Sequence, residues 1–420
     1  MADTTIPLVP PGLDTVPVPP LVDGAPEGSS GRLTRGGFLR RAGVGAGSVL
    51  VAGSGVVSYR AYDQGVFQVG QGPAYDPWRT WMDGTGLERL VAAALLAPSP
   101  HNTQAWMFHL TDDRQVDIYL DPSRSIGAID PFGRELHIGL GAALENLVLA
   151  GQADGHQPQL TLMPSGPSSP HAARVDLTPG QRLPTALYRA IPNRHTNRYA
   201  YQDRAVPAGA LHQISSLAGG LTDTGLQWFT SPSDRARIGR SLVSATEAIV
   251  GDQAQSQSDY DWFRQDWDTI QARRDGITID ASGLSDLVAA AAKILPAQSR
   301  QATDDAWLSA TRDVHTKTAA AYGIVTVRDA TDNAQRITGG RLFERAHLWA
   351  AANGLAFQPM NQLTERADRE RELSLSPTFG ETLTELTGSH RQALVTFRLG
   401  YPTHTAHLSP RRPVEWVVQR

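Results

Sequence analysis

Two stretches of the chain carry strong helical periodicity, and they match each other. "GAALENLVLAGQADG" (141–155) and "GRLFERAHLWAAANG" (340–354) place apolar residues at i, i+3, i+4 and i+7. Each stops at Asp or Asn followed by Gly, the pattern of a left-handed helix end. They align without gaps at an offset of 199 residues, so that Gly141, Glu145, Leu149, Ala153 and Gly155 fall on Gly340, Glu344, Leu348, Ala352 and Gly354. A "QP" follows each copy within a few residues. Ahead of each lies an earlier helical run leading into a Trp-containing strand, "LERLVAAALLAPSPHNTQAWMF" and "LHQISSLAGGLTDTGLQWFT". The pattern predicts a duplicated module in which the two matching segments are central core helices.

The copies differ in the turn between the earlier helix and its strand. In the first, the helical run breaks at Pro98 and passes through Ser99, Pro100, His101, Asn102 and Gln104 before the strand begins at Trp106. A turn needs only one or two hydrogen-bonding side chains, so the others are expected to face a ligand. The second copy keeps only Gln227 and Trp228 of this stretch, but it opens on "IPNRHTNRYAY" (191–201). Arg194, Thr196 and Arg198 follow Pro192 closely, and an arginine fork with a hydroxyl suits a phosphate dianion. Arg411 and Arg412, beside prolines in "SPRRPVEWVV", bring further cationic donors near the C-terminus.

Composition narrows the chemistry. With 420 residues, two domains or one large composite unit are expected. Lys and Arg total 38 against 42 Asp and Glu, and no long basic run lies outside the N-terminal region, which argues against a nucleic-acid partner. The absence of cysteine excludes disulfides, thiolate metal sites and a Cys nucleophile. His101, His109, His137, His195, His315 and His347 show no paired ligand spacing, so no metal site is expected; His101, on the polar turn, is placed to touch either substrate or the turn itself. "GLGAAL" (139–144) lacks the third glycine of a dinucleotide fingerprint and belongs to helix packing. No Gly-x-Ser-x-Gly elbow occurs.

The first 31 residues are rich in Pro and Gly and read as a disordered leader. Residues 32–60 open with four arginines, Arg32, Arg35, Arg40 and Arg41, followed by 18 uncharged residues from Ala42 to Tyr59. "TRGGFLR" resembles the twin-arginine export motif, with Gly36 where the second arginine belongs. A membrane-anchored or exported protein with association through residues 42–59 is expected, the alternative being a cytoplasmic protein in which this segment packs on the body.

Taken together, "AYDPWRTW", the "APSPHNTQAW" turn, "DPFGRELHIGLGAALENL", "RHTNR" and "FQPMNQLTE" resemble the nitroreductase superfamily of FMN-binding oxidoreductases, in particular its Acg-like branch with two fused modules. The resemblance implies an α+β, nitroreductase-like fold forming an intrachain pseudo-dimer: a first module at 75–180 and a second at 185–420 with a lid-like insertion at about 230–335. It implies FMN as cofactor, held at the phosphate by Arg194, Thr196, Arg198 and Arg411 or Arg412. The turn residues Pro98, Ser99, Asn102 and Gln104 reach the flavin from the other module, with Pro359 and Met360 beside the ring. No catalytic side chain is required, because the flavin carries the redox step from NAD(P)H to an electron-poor acceptor such as a nitroaromatic or quinone. One flavin per monomeric chain is implied. Trp262, Phe263 and Trp267 in the insertion either cover the flavin or anchor the insertion; a permanently closed cover makes the chain a flavin-sequestering, non-catalytic protein instead.

Overall fold

A computed structural model describes residues 54 to 420. The leader and residues 32–53 of the export-like segment, which include most of the expected membrane-associating stretch, lie outside the described residues. Among the described residues no helix is long and apolar enough to cross a membrane.

One topology occurs twice. The first copy runs helix α1 (Gly86–Leu95), strands β1 (Trp106–Asp112) and β2 (Gln115–Leu120), central helix α2 (Arg134–Ala153), and strands β3 (His156–Leu162) and β4 (His171–Pro179). The second runs α3 (Ala208–Ser216) and β5 (Thr224–Phe229), then an excursion with α4 (Pro232–Gly251), α5 (Gln253–Tyr260), β6 (Phe263–Arg264), β7 (Ile277–Thr278) and α6 (Arg300–Ala310). It resumes with β8 (Ala321–Val327), central helix α7 (Asn333–Ala352), β9 (Ala356–Pro359), helices α8 (Gln362–Glu372) and α9 (Thr378–Thr387), and β10 (Gln392–Gly400). Both sheets place their own four strands in the order first, second, fourth, third: β1-β2-β4-β3 and β5-β8-β10-β9. Pairing within each set is antiparallel. The fold is α+β, as expected.

The excursion closes at residue 320 rather than near 335, because Ala321–Val327 is buried along its whole length as the second strand of its sheet. The first copy makes the same connection with a short hairpin between β1 and β2. After β10 the chain crosses back, and β11 (Val418–Gln419) adds to the first sheet in parallel with β1, Phe108 opposite Val418. Val417 joins the first core with Trp106, Phe108, Leu144 and Val175. The second core gathers Val325, Leu342, Phe357 and Phe397, and α4, α8 and α9 cover the other face of that sheet through Leu242, Leu363 and Leu383.

The central helices α2 and α7 pack against each other at their aligned glycines. A Cβ on Gly141 would stand 2.1 Å from the Ile337 carbonyl oxygen and 3.0 Å from Gly340 Cα; one on Gly340 would stand 2.2 Å from the Ile138 carbonyl oxygen. Only glycine permits this backbone approach. At their far ends Gly155 and Gly354 take φ of 90° and 69°, the left-handed stops that the sequence pattern predicts.

Gly141→Ala or Gly340→Ala is therefore expected to destabilise by at least the roughly 1–3 kcal/mol typical of overpacking, since backbone cannot step aside as a side-chain tip can. Denaturant midpoints measure this. Gly209→Ala, on α3 with no atom within 4 Å of its new Cβ, serves as control and is expected to be neutral or to stabilise by about 0.5–1 kcal/mol.

Candidate functional site

A cavity of about 290 Å³ lies where the two copies meet. One wall is the turn Pro98–Asn102 with Glu135, Ile138 and Gly139 of α2; another is Arg194, Thr196 and Arg198 with Gln358 and Pro359. The excursion covers it with Phe263, Ile277, Leu284 and Trp307, and Ser409 and Arg411 close it from the C-terminal segment.

The polar turn is held in an uncommon backbone conformation, with positive φ at His101 (48°), Asn102 (54°) and Gln104 (53°). Each such residue costs on the order of 1 kcal/mol, and its own side chains offset that cost. Ser99 Oγ accepts from the Gln104 N–H at 2.9 Å. Asn102 Nδ2 donates to the carbonyls of Gly276 (3.2 Å) and Pro410 (2.9 Å), while its Oδ1 accepts from Arg411 at 2.7 Å. Gln104 donates to the Arg274 carbonyl at 2.8 Å and accepts from the Arg412 N–H at 2.7 Å. The side chains expected to be free for a ligand instead stitch the turn to the excursion and the C-terminal segment.

Two arginines from distant parts of the chain meet at the end of α1. Arg194 Nη2 donates to the Leu96 carbonyl at 2.8 Å, and Arg411 Nη2 reaches the same oxygen at 3.4 Å and the Ala97 carbonyl at 3.3 Å. The negative end of the helix favours cations there. Both side chains are essentially fully buried, and the Nε of each has no hydrogen-bond partner. Burial holds Arg194 below the usual guanidinium range, and burial together with Arg194 holds Arg411 well below it. The nearest acid is Glu344, 3.5 Å from Arg194. Burial pushes that carboxyl up to about 8 despite Arg194, so it is mostly neutral at pH 7. His195 is pushed down to about 3 by burial and both arginines, and His347 well below its usual value, so neither adds charge. Trp78 fixes Arg411: its ring lies 4.6 Å from the guanidinium and its Nε1 donates to the Ser409 carbonyl at 2.7 Å.

The aligned position in the other copy is built differently. Glu145, the repeat counterpart of Glu344, accepts from Arg341 and Arg345 at 2.7 Å each, and these two hold its carboxyl below the usual range against its burial. Arg345 also donates at 3.0 Å to the carbonyl of Leu217, the C-cap of α3 as Leu96 is of α1. An internal ion pair thus fills the place that Arg194 and Arg411 leave short of negative charge.

The opposite wall is acidic. His101 Nε2 lies 2.6 Å from Asp259 Oδ1; burial alone lowers the imidazole, but the hydrogen bond and charge of Asp259 hold it above the usual histidine value. Burial and Asp130 push Glu135 up to about 7, and burial and Glu135 push Glu365 well above the carboxylate range.

Of the residues expected from sequence, Pro98, Ser99, Asn102, Arg194, Thr196, Arg198, Pro359 and Arg411 line the cavity. Arg198 stands apart from the Leu96 cluster, donating to the Ala281 carbonyl at 3.0 Å. Three expected residues lie outside the lining. Gln104 is fully buried in the turn, Met360 packs with Ile324 and Leu363 in the core, and Arg412 donates to the carbonyls of Gln104 and Trp416. Of the three aromatics considered as a cover, only Phe263 lines the cavity. Trp262 sits 5.3 Å from both Arg124 and Arg264, and Trp267 stacks on Tyr75, so these two anchor the excursion. Sequence reasoning missed Glu135, Asp259 and Glu365, which carry no spacing signal of their own; Glu344 was legible only as the repeat counterpart of Glu145.

No family model matches the chain. Among curated proteins it is 30% identical over 138 residues to "Putative NAD(P)H nitroreductase Rv3131" of Mycobacterium tuberculosis, covering 32% of this chain and 40% of that one. It is 33% identical over 123 residues to "Putative NAD(P)H nitroreductase acg" of the same organism, covering 28% and 36%. The chain thus spans about two fifths of the length of the curated relatives it matches. Among solved structures, the FMN-dependent nitroreductase NfnB from Mycobacterium smegmatis in complex with NADPH aligns with 18% identity over 56% of this chain and 97% of that one, at a TM-score of 0.36. Over the matched third of its length, the chain is similar to proteins named putative NAD(P)H nitroreductases.

Proposed function

We propose that the chain is an FMN-dependent oxidoreductase of nitroreductase type that passes electrons from NAD(P)H to an electron-poor acceptor, a nitroaromatic or a quinone. The observation that carries this reading is the pair Arg194 and Arg411: two buried guanidiniums with unpartnered Nε atoms and a mostly neutral Glu344 as the nearest acid. Burying like charges without a counter-ion is costly, and a phosphate dianion supplies what is missing. The chain's donors therefore fit the phosphate of FMN. Thr196, Arg198, Ser99 and Pro359 line the remainder of the cavity and orient the rest of the molecule. FMN, when bound, supplies the redox chemistry by accepting hydride from the nicotinamide and passing electrons to the acceptor. The protein's part is to bind, to orient and to exclude water, the last through Phe263, Ile277 and Trp307.

One flavin per chain follows, because Glu145 and Arg345 fill the equivalent position in the other copy. The repeated topology supports two fused modules doing within a monomer what a dimer does between subunits. A second reading is favoured by the excursion's coverage of the cavity: the chain holds flavin without turning it over. Steady-state NAD(P)H oxidation with a quinone separates the two. Stoichiometric FMN with no turnover selects sequestration; no FMN uptake at saturation removes both.

Arg194→Ala and Arg411→Ala are each expected to weaken FMN by about 1.5–3 kcal/mol while leaving riboflavin, which lacks the phosphate, nearly unchanged. Asn102→Ala should follow the same phosphate-selective pattern, since the Asn102 side chain holds Arg411. Fluorescence titration with both flavins reads the contrast, and equal losses for the two flavins would mean general damage.

A pH dependence follows from Glu344. Its carboxyl is neutral below about 8 and leaves the charge of Arg194 available; above that value the carboxylate competes for the arginine. FMN affinity is expected to fall as pH rises through about 8, and Glu344→Gln should flatten that part of the profile.

A further inference from the structure

The acidic wall of the cavity has no role in holding a phosphate, and its chemistry points to a ligand of the opposite charge. Glu135 Oε1, Glu365 Oε2, Asn361 Oδ1 and Gln362 Oε1 are buried atoms without hydrogen-bond partners, and all four residues line the cavity. Glu135, Glu365 and Gln362 are each more than nine-tenths buried. Glu135 lies within hydrogen-bonding reach of Glu365 and Asn361, a contact met when one carboxyl keeps its proton; Gln362 Oε1 keeps no donor, and so many acceptors with so few donors in one buried wall is unusual.

Among the described residues, no cationic side chain donates to these four oxygens. Arg134, next to Glu135 on α2, is committed to Asp368 through bonds of 2.7 and 2.6 Å. Arg366, next to Glu365 on α8, donates to Gln255 at 2.6 Å and to Asp252 at 3.3 Å. His101 is paired with Asp259, and Arg198 donates to the Ala281 carbonyl. The remaining titratable neighbour, Asp130, is acidic and spends its carboxylate on the N–H groups of Glu135 and Leu136. Phe263 and Trp307 line the same cavity and offer aromatic surface to a flat or cationic group.

We propose that Glu135, Glu365, Asn361 and Gln362 form a subsite for an organic cation bearing several N–H donors, such as an amidinium or guanidinium. As a statement about the acceptor it rests on the function proposed above; the subsite itself requires only residues of this chain. In the absence of such a ligand the pair retains protons: burial and Asp130 raise Glu135, and burial and Glu135 raise Glu365. A cation that binds there takes the place of a proton.

Calorimetric titration of the full chain with benzamidinium chloride and with neutral benzamide tests this, below pH 7 and in two buffers of different ionisation heat. The measurement is made with and without FMN. Benzamidinium is expected to bind about tenfold or more tightly than benzamide, the difference between charge-assisted and neutral hydrogen bonds. Its binding should release on the order of one proton, seen as a buffer-dependent heat. Glu135→Gln and Glu365→Gln should each lose the preference and the proton release while unfolding near the parent temperature, because below pH 7 the amide replaces a carboxyl that already carries its proton. Equal affinities, no benzamidinium binding, no proton release by the parent chain, or variants that keep the preference would overturn the proposal. The parent's proton release stands as a test even if a variant does not fold. FMN binding without cation preference sinks only the subsite, and cation preference without FMN binding sinks only the function proposed above.

Discussion

Backbone contact between α2 and α7 at Gly141 and Gly340 is the constraint on which the molecule depends. Each helix brings a glycine to within touching distance of a carbonyl on the other, so the two sheets are locked at one spacing. That spacing brings Arg194, from the start of the second copy, to Leu96 at the end of α1 in the first. A wider crossing would separate the guanidinium from the helix end. The C-terminal segment relies on the same geometry: it leaves β10, delivers Arg411 to the Leu96 carbonyl, and ends as β11 on the first sheet.

The two copies show how one position can be put to opposite uses. Glu145 and Glu344 occupy equivalent turns of equivalent helices, and both are buried. Glu145 has two arginines from α7 and stays ionised. Glu344 has one arginine at longer range and is held up to about 8. The difference lies in what surrounds each carboxyl, since desolvation raises both and only close cations reverse it. One half of the pseudo-symmetric structure is internally neutralised, and the other holds a surplus of positive charge directed into a cavity.

The excursion after β5 covers part of that cavity. Trp262 and Trp267 fix it to the body, and its backbone carbonyls at Arg274 and Gly276 bind the strained turn of the first copy. The turn's positive-φ residues are thereby held from two sides. Burial also accounts for the shifted acids: Glu135 and Glu365 would titrate as ordinary carboxyls in water, and burial against one another makes their protonation responsive to what enters.

By itself the sequence determined the elements. Apolar spacing and the Gly stops marked α2 and α7, the Trp-containing runs marked β1 and β5, and the turn at Pro98–Asn102 and the arginines after Pro192 stood out because local chemistry writes them in contiguous residues. Eight of the expected site residues do line the cavity. What the sequence could not determine were relations between distant residues: that Asn102 and Gln104 are consumed by partners about 170 to 310 positions away, that Met360 and Arg412 turn into the body, and that Glu135 faces Glu365. Local pattern reports which backbone conformation a segment prefers. Which side chains are desolvated together, and which charges remain unmatched, is decided only when helix crossing, strand return and excursion close around the same space.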